Sequence, residues 1–436
     1  MSKILILDVY PASPYRISKD TNGGYGTRND LGYGIVPKIL SRVAKSSIFW
    51  PPLSALNLAS ELIKEGHEVA YSLNVNDVDS SVEFIFMPIS IVCFNEEIKT
   101  IKMLRKANPK IKIFCFGPII NHTKEILLKL GVTVFVGEPE FIVEVTKLTN
   151  LNIKLLFEQK IVNSPFGNPD NLSLPFWSSI KLPSMRNFLH GNLSSSAPII
   201  ATRGCPYSCS EYCTYPLQQG KAPRARSKEM VLNDIKHIKK ETGAKNFIFR
   251  DPVFTINKKY SAELLDFLGV SLQKEVKFTI ETHLNNLNDN MISLASKANV
   301  THVKFGIESI SNEVLDNVHR YTIEMEKQIE RINSLKEKKI GTTAFYNLCQ
   351  PLDTKKSIEL TVDYAIKLKT NLATFSIFTP YPGTPYFEKN KQNLLTKNYD
   401  KFSQYDLVFK HKNFTPSQAK QLLGNAYTKY YLNKLI

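Results

Sequence analysis

The chain has few cysteines, few histidines and no long apolar run. Its 436 residues include six cysteines, eight histidines and two tryptophans. No uninterrupted apolar stretch approaches the roughly 20 residues that a membrane-spanning helix needs, so we expect no transmembrane segment. The stretch from Met1 to Asp8 has the pattern of a buried strand and not of a signal peptide. Cysteines without a secretory signal are typical of a reducing compartment, and we therefore expect a cytoplasmic protein.

Acidic residues are also fewer than basic ones. The 56 lysines and arginines against 40 aspartates and glutamates give a formal net charge of +16. An excess of this size fits an anionic partner such as nucleic acid or membrane lipid. The excess is mostly lysine, however, and is spread along predicted helices among acidic residues, which is typical of a solvated surface. We therefore do not expect nucleic acid as a partner, and weak binding to polyanions is the alternative.

Short apolar runs alternate with amphipathic stretches in the first half of the chain. The predicted strands cover residues 3–8, 68–73, 83–90, 111–116 and 133–136, and the predicted helices cover 53–65, 96–107, 122–130 and a segment from 139. Such alternation predicts a doubly wound parallel sheet that binds ligands at the carboxyl ends of its strands. The polar, glycine-rich stretch 11–33 is predicted to be a long loop.

Strand and helix signals alternate again in the second half. The predicted strands lie near 198–202, 246–250, 276–281, 301–307, 341–348 and 371–379. Units of this kind, joined by right-handed crossovers, close toward a barrel, and the number found here predicts a partial (β/α)6 barrel. We divide the chain into a Rossmann-like domain at 1–150, a connector at 151–195, the barrel at 196–386 and a helical tail at 387–436.

One loop carries half of the cysteines. Cys205, Cys209 and Cys213 follow the apolar run 197–201 within nine residues. Thiolates this close can ligate one metal centre, and three of them leave a coordination position open for chemistry. A structural zinc site would need a fourth cysteine or a histidine nearby, and the next histidine is His237 in a predicted helix. Zinc and chance clustering are therefore the weaker alternatives.

The loop resembles a known cofactor-binding motif. The segment from Arg203 to Cys209, Arg-Gly-Cys-Pro-Tyr-Ser-Cys, and the following Tyr212-Cys213 resemble the cluster loop of radical S-adenosylmethionine (SAM) enzymes, which has the pattern CxxxCxxC. The resemblance implies a [4Fe–4S] cluster on Cys205, Cys209 and Cys213, with SAM on the fourth iron. This chain departs from the pattern by one additional residue, because Cys209 and Cys213 are spaced as CxxxC.

The same resemblance implies which residues hold SAM. Polar residues stand at the predicted strand ends: Asp251, Glu281 with His283, Glu308 with Ser309, and the loop 379–385. By resemblance, the second strand end contacts the SAM ammonium, the third and fourth contact its ribose and carboxylate, and the sixth-strand loop lies along adenine. Tyr212 is expected to contact the adenosyl group. The alternative for Asp251 and Glu308 is that each only caps the helix that follows.

Three segments of the first half resemble the cobalamin-binding domain that precedes the radical domain in one large subfamily. They are Trp50-Pro-Pro-Leu-Ser-Ala-Leu-Asn-Leu-Ala-Ser, Gly66-His-Glu-Val and Val136-Gly-Glu-Pro-Glu140. Cobalamin proteins that bind cobalt through histidine carry DxHxxG, and here Tyr10 stands at the histidine position. Cobalamin is therefore a candidate cofactor that would bind without that histidine.

Together these features predict a radical SAM enzyme that generates a 5′-deoxyadenosyl radical. We expect methylation or rearrangement of an unactivated carbon in a small-molecule or lipid substrate, with a reductant such as flavodoxin or ferredoxin as partner. One alternative is a tRNA methylthiotransferase-like enzyme, because Arg224 and Arg226 resemble the motif that follows the cluster loop in that family. The other alternative is a non-catalytic cluster-binding relative.

Overall fold

Two parallel sheets form the framework of the protein. The computed structural model describes residues 1–19, 24–45, 50–156, 158–178, 180 and 196–434. The strands are β1 (Lys3–Leu7), β2 (Ile17–Lys19), β3 (Gly26–Arg28), β4 (Glu68–Ser72), β5 (Phe84–Pro88), β6 (Lys112–Phe116), β7 (Thr133–Val136), β8 (Ile161–Asn163), β9 (Ser196–Ile199), β10 (Thr202–Arg203), β11 (Arg224–Ala225), β12 (Asn246–Phe249), β13 (Lys277–Glu281), β14 (Val300–Glu308), β15 (Gly341–Leu348) and β16 (Leu372–Ile377).

Helices follow most of these strands. They are α1 (Ile35–Lys45), α2 (Leu53–Lys64), α3 (Phe94–Ala107), α4 (Ile120–Leu128), α5 (Ile142–Thr149), α6 (Ile153–Leu156), α7 (Tyr215–Gln219), α8 (Lys228–Thr242), α9 (Lys258–Leu272), α10 (Asp289–Lys297), α11 (Asn312–Asn317), α12 (Met325–Glu337), α13 (Lys355–Leu368), α14 (Pro385–Lys389) and α15 (Pro416–Asn433). None of the helices among the described residues is both long and apolar enough to cross a membrane.

The first sheet has the strand order β4-β1-β5-β6-β7-β8, with every pair parallel. Side chains of a strand alternate between its two faces. Accordingly, Ile4 and Ile6 of β1 pack with α2 on one face, and Leu5 and Leu7 belong to the core that contains α3 on the other. The predicted doubly wound sheet is therefore confirmed.

Strand β8 lies inside the predicted connector 151–195 and extends the first sheet by pairing with β7. Its three residues stand among prolines and asparagines, so no apolar run marked them as a strand. Residues 157, 179 and 181–195 of the connector lie outside the described residues. The positions of the domain boundaries stay a prediction.

The second sheet has the order β9-β12-β13-β14-β15-β16, again all parallel and in the order of the chain. The six strands lie close to the predicted ones, and the partial barrel is confirmed. All six carboxyl ends meet at one edge, which is the mouth of the barrel. Helix α15 packs on the last strand, where the Tyr427 hydroxyl donates to the carbonyl of Phe375 at 2.9 Å.

The stretch 11–33, which was predicted to be a loop, contains an antiparallel hairpin formed by β2 and β3. Helix α1 follows this hairpin and was not predicted. We call residues 16–19 and 24–29 the bridging hairpin. At one end, the buried Lys19 ammonium lies 2.6 Å from Asp8 and 2.7 Å from Glu97. At the other end, the Tyr25 hydroxyl donates to the carbonyl of Pro382, just beyond β16, at 2.6 Å. The hairpin therefore joins the carboxyl edge of the first sheet to the mouth of the barrel.

The buried ion pairs of Lys19 generate a first prediction. Lys19→Met should lower the free energy of unfolding by about 3–5 kcal/mol, because two buried carboxylates lose their cation. The measurement is the urea-unfolding midpoint followed by circular dichroism. The control is Lys99→Met, which removes the exposed pair with Glu96 and should cost no more than about 1 kcal/mol. Equal losses in the two variants would contradict a stabilising role for the buried ion pairs.

Candidate active site

A short antiparallel ribbon closes the base of the cysteine loop. Strand β10 pairs with β11, which places Arg203 opposite Arg224 on either side of the loop. Gly204 has φ +89°, and a Cβ there would lie 2.1 Å from the carbonyl oxygen of Ala222. Only glycine fits this close approach. The amide of Cys205 then donates to the carbonyl of Gly220 at 3.1 Å, so the first cysteine is held at the ribbon.

The additional residue of the loop is accommodated in a helical turn. Residues Ser208–Glu211 form a 3-10 turn, after which the amides of Tyr212 and Cys213 donate to the Cys209 carbonyl at 3.2 and 3.0 Å. Residues four apart on a helical turn share one face. Cys209 and Cys213 therefore point to the same side, and both line the same cavity as Cys205.

The Cys209 and Cys213 thiols are hydrogen-bonded to each other. The Cys209 sulfur accepts from Cys213, which lowers the pKa of Cys209 and raises that of Cys213, with burial also acting against ionisation. Arg320 further lowers the pKa of Cys209. Burial raises the pKa of Cys205. Because metal ligation needs thiolates, binding at this site should release protons.

The number and grouping of the donors at this site bear on which metal they could hold. Four tetrahedral zinc ligands stand about 3.8 Å apart, given Zn–S bonds of about 2.3 Å. Among the described residues, no three His, Cys, Asp or Glu side chains are grouped closely enough to hold one metal ion. The thiolates of a [4Fe–4S] cluster bind different irons and stand further apart. The number of donors therefore favours a cluster, because three cysteines line the cavity and a structural zinc site needs four ligands.

The thiols open into a cavity of about 480 Å³ between the bridging hairpin and the barrel mouth. Besides the three cysteines, its charged and aromatic lining includes Arg16, Tyr25, Tyr207, Tyr212, Arg250, Glu281, His283, Lys304, Glu308, Arg320 and Tyr405. The lining comes from the hairpin, the cysteine loop and the carboxyl ends of the barrel strands. The structure thus brings together most of the side chains that the sequence indicated.

Two of the residues implied as SAM ligands do not line the cavity. Asp251 is buried, and its carboxylate accepts hydrogen bonds from the backbone of Ala201 and from the amide and hydroxyl of Thr202. Burial raises the pKa of Asp251 to about 6, against these hydrogen bonds. Its carboxylate supports the strand that leads into the cysteine loop. Ser309 is likewise buried, and its hydroxyl accepts from the amide of Ser311 at 3.2 Å.

The other implied ligands do line the cavity, together with an arginine that the sequence analysis missed. Arg320 lies 3.6 Å from the Glu308 carboxylate and donates to His283 Nε2 at 2.9 Å. Burial and Arg320 lower the pKa of His283 to about 3, so its ring is a neutral acceptor. Glu308 has φ +68°, a conformation that side chains rarely adopt. The strained backbone turns its carboxylate toward Arg320.

A buried ion cluster ties the cysteine loop to the first sheet. Arg203 Nη1 lies 2.7 Å from both Glu138 and Glu140, and Arg224 lies 2.8 Å from Glu138. The two glutamates belong to the segment that resembles a cobalamin-binding domain. Arg226 is also buried and pairs with Asp234. The arginines that suggested a tRNA-modifying enzyme are therefore engaged inside the protein.

Known proteins resemble the chain along most of its length. Residues 199–365 match the model of the Radical SAM superfamily. An uncharacterized methyltransferase of Pyrococcus horikoshii is 26% identical over 417 residues, or 88% of each chain. Bacteriochlorophyllide d C-12(1)-methyltransferase of Chlorobaculum tepidum is 28% identical over 248 residues, or 54% of each chain. The radical SAM methyltransferase TsrM of Kitasatospora setae, solved with cobalamin and a [4Fe–4S] cluster, has a TM-score of 0.65 at 13% identity and covers 98% of this chain and 91% of its own.

The fold and the cysteine loop agree with these matches. A Rossmann-like sheet precedes a six-stranded partial barrel, and three cysteines follow the first barrel strand. Residues 199–365, which contain the cysteine loop, are therefore similar to the Radical SAM superfamily, and the fold of the whole chain is similar to that of TsrM.

The ion cluster generates a second prediction. Glu138→Gln should lower the free energy of unfolding by about 2–3 kcal/mol, since the buried Arg203 and the partly buried Arg224 lose a shared carboxylate. It should also shorten the half-life of protein-bound iron in the presence of a chelator. The control, Glu158→Gln, removes an exposed pair with Lys112 and should change both quantities little. An unchanged half-life of bound iron in Glu138→Gln would contradict a role of the ion cluster in supporting the cofactor site.

Proposed function

We propose that Cys205, Cys209 and Cys213 hold a [4Fe–4S] cluster with which the protein cleaves SAM and functionalises an unactivated carbon of a small-molecule or lipid substrate. The observation that carries this proposal is the meeting of the three thiols with acidic and aromatic side chains in one cavity at the barrel mouth. When bound, the reduced cluster supplies the electron that converts SAM to methionine and a 5′-deoxyadenosyl radical.

The side chains near the thiols suit the parts of SAM. Glu308 and Glu281 offer acceptors for the ammonium and the ribose hydroxyls, and charge-assisted hydrogen bonds of this kind are strong. Arg320 offers donors to the SAM carboxylate. Tyr212 packs against Phe378, with ring centroids 5.4 Å apart, and presents an aromatic surface to the adenosyl group. These residues bind and orient SAM.

The protein must also keep solvent from a reactive radical. The bridging hairpin covers the barrel mouth, where Tyr25 meets the Tyr381 ring edge-to-face at 5.4 Å. Closure of this kind excludes water and prevents side reactions. The buried Lys19 and the Tyr25 contact fix the hairpin at both ends, so the cover is part of the fold.

Methyl transfer is the outcome favoured by the named relatives, and cobalamin is the candidate second cofactor. Tyr10, at the position of the cobalt-binding histidine, donates to Asp8 at 3.3 Å, and Asp8 also accepts from Tyr71 at 2.6 Å. His122 contacts Tyr399 at 3.1 Å, and His67 precedes β4 at the amino edge of the sheet. Cobalamin would therefore be held without a histidine ligand from these positions. We place the reaction in the cytoplasm, with flavodoxin or ferredoxin as reductant.

Cluster assembly generates a third prediction. Anaerobic reconstitution should give about four irons and four sulfides per chain. Replacement of Cys205, Cys209 or Cys213 by alanine should abolish the visible absorbance of the cluster and most of the iron. The matched control is Cys115→Ala, which alters a buried cysteine of the first sheet and should keep the full iron content. Retention of a cluster by all three cavity variants would contradict the assignment of ligands.

A fourth prediction concerns SAM. Under dithionite the reconstituted protein should release 5′-deoxyadenosine, measured by chromatography. Glu308→Gln should weaken SAM binding by about tenfold to one-hundredfold, since a charged hydrogen bond is lost. Glu313→Gln alters an exposed glutamate on α11 and should leave binding unchanged. A protein that assembles its cluster without ever cleaving SAM would instead be a non-catalytic relative.

A further inference from the structure

The cavity wall contains three basic side chains besides the residues placed around SAM. Arg16 comes from the bridging hairpin, Arg250 follows β12, and Lys304 stands in the middle of β14. We call these three residues the basic wall. They come from three separate elements and are brought together by the fold alone.

The basic wall and the cysteine side of the cavity contain different basic groups, and the Glu281 carboxylate is common to both, since it interacts with Lys304 and with Glu308. On the cysteine side, Arg320 interacts with Glu308, Tyr212, Cys209 and Cys213. In the basic wall, by contrast, Lys304 interacts with Arg250, Glu281 and Arg16. Among the described residues, the Glu281 carboxylate stands close to the wall, 3.7 Å from Arg250. The lining therefore has one side suited to the cluster and SAM and a second side with excess positive charge.

Mutual repulsion marks the basic wall as an arrangement that costs free energy. Burial, Arg250 and Arg16 together lower the pKa of Lys304 to about 8, against the opposing effect of Glu281. Burial also lowers the pKa of Arg16, and Arg250 adds to that effect. Like charges that are buried close together are unfavourable unless a counter-charge joins them. Clusters of this kind concentrate at functional sites.

The position of Lys304 in its strand supports a binding role. In β14, the buried residues Val303, Phe305 and Ile307 alternate with Lys304, Gly306 and Glu308. The second group of three therefore faces the cavity. Asn347 and Ser376 line the same cavity from β15 and β16 and offer further polar contacts. A wall that only needed to fill space would carry apolar side chains here, as most barrel interiors do.

We propose that the basic wall binds an anionic group, a carboxylate or a phosphate, of the substrate and so aims the reacting carbon at the SAM side of the cavity. The inference rests on the proposed function, since it assumes that SAM occupies the cysteine side. Bidentate guanidinium groups and an ammonium are the donors that proteins use for such anions. The substrate class is therefore an acid or a phosphate ester.

The test uses the reconstituted holoenzyme with SAM under anaerobic conditions. Two probes are titrated to about 20 mM against potassium chloride of equal ionic strength: succinate for carboxylates and methyl phosphate for phosphate esters. Binding to the folded protein raises the melting temperature in a saturable way, which gives an apparent Kd. Saturable stabilisation by succinate alone assigns a carboxylate as the bound group. Stabilisation by methyl phosphate alone assigns a phosphate ester, and stabilisation by both probes assigns the anionic class that they share.

Variants locate the binding. Lys304→Met should raise the apparent Kd about tenfold or more, because one charged donor is lost. Lys304→Arg keeps the charge and should stay within about threefold of the unaltered protein. The control, Lys277→Met, alters an exposed lysine at the start of β13 and should change nothing.

Two results would overturn the inference: no saturable effect of either probe, or an equal effect in Lys304→Met. The unaltered protein is assayed separately for SAM cleavage. Absence of cleavage with a complete cluster counts against the proposed function, whereas cleavage without anion binding counts against the basic wall alone. The two failures are thus distinguishable.

Discussion

The site depends on the buried ion cluster that Arg203 and Arg224 form with Glu138 and Glu140. Removing charged groups from water is expensive, so such a cluster is stable only when all of its members are present. Burial raises the pKa of Glu140 and Arg203 opposes this effect, while both carboxylates raise the pKa of Arg203. The ribbon at the base of the cysteine loop can therefore take its shape only when the first sheet is folded against it.

A second buried cation holds the other side of the cavity. Lys19 ties the bridging hairpin to Asp8 and Glu97 beside the first sheet, and Tyr25 ties it to the loop after β16. Two connections, one below the cysteine loop and one above the mouth, thus hold the two sheets with their carboxyl edges facing a common space. Apolar packing joins the two halves as well, because Tyr381 and Phe387 beyond β16 belong to the core of the first sheet.

Much of this arrangement could be predicted from the sequence, for a simple reason. Buried parallel strands are apolar runs, so β13 and β14 stand within a residue or two of their predicted bounds. The cysteine loop and Glu308 were visible as motifs. The hairpin was not, because its short polar strands depend on Lys19 meeting Asp8 and the more distant Glu97. Long-range ion pairs leave no local pattern.

Arg320 belongs to the same group of unpredictable residues, since it follows α11 in an ordinary polar stretch. For Lys304 a signal did exist. The strand Val300–Glu308 alternates, and its period of two places Lys304 on the face of Glu308. Asp251 stands at a strand end as predicted, and its carboxylate accepts from Ala201 and Thr202, while its contact with SAM stays a prediction. A strand end predicts which edge a residue occupies, not which group it touches.

The additional residue in the cysteine loop shows the same distinction between sequence spacing and position in space. An iron–sulfur cluster requires that three sulfurs face one point. The spacing of the cysteines in the sequence indicates this arrangement only indirectly. In a helical turn a spacing of four residues brings side chains to one face, as Cys209 and Cys213 show. Glu211, within the turn, pairs with Lys389 of α14 at 3.1 Å and ties the turn to the end of the barrel. The longer loop therefore keeps its thiols directed at one cavity because its backbone forms a helical turn there.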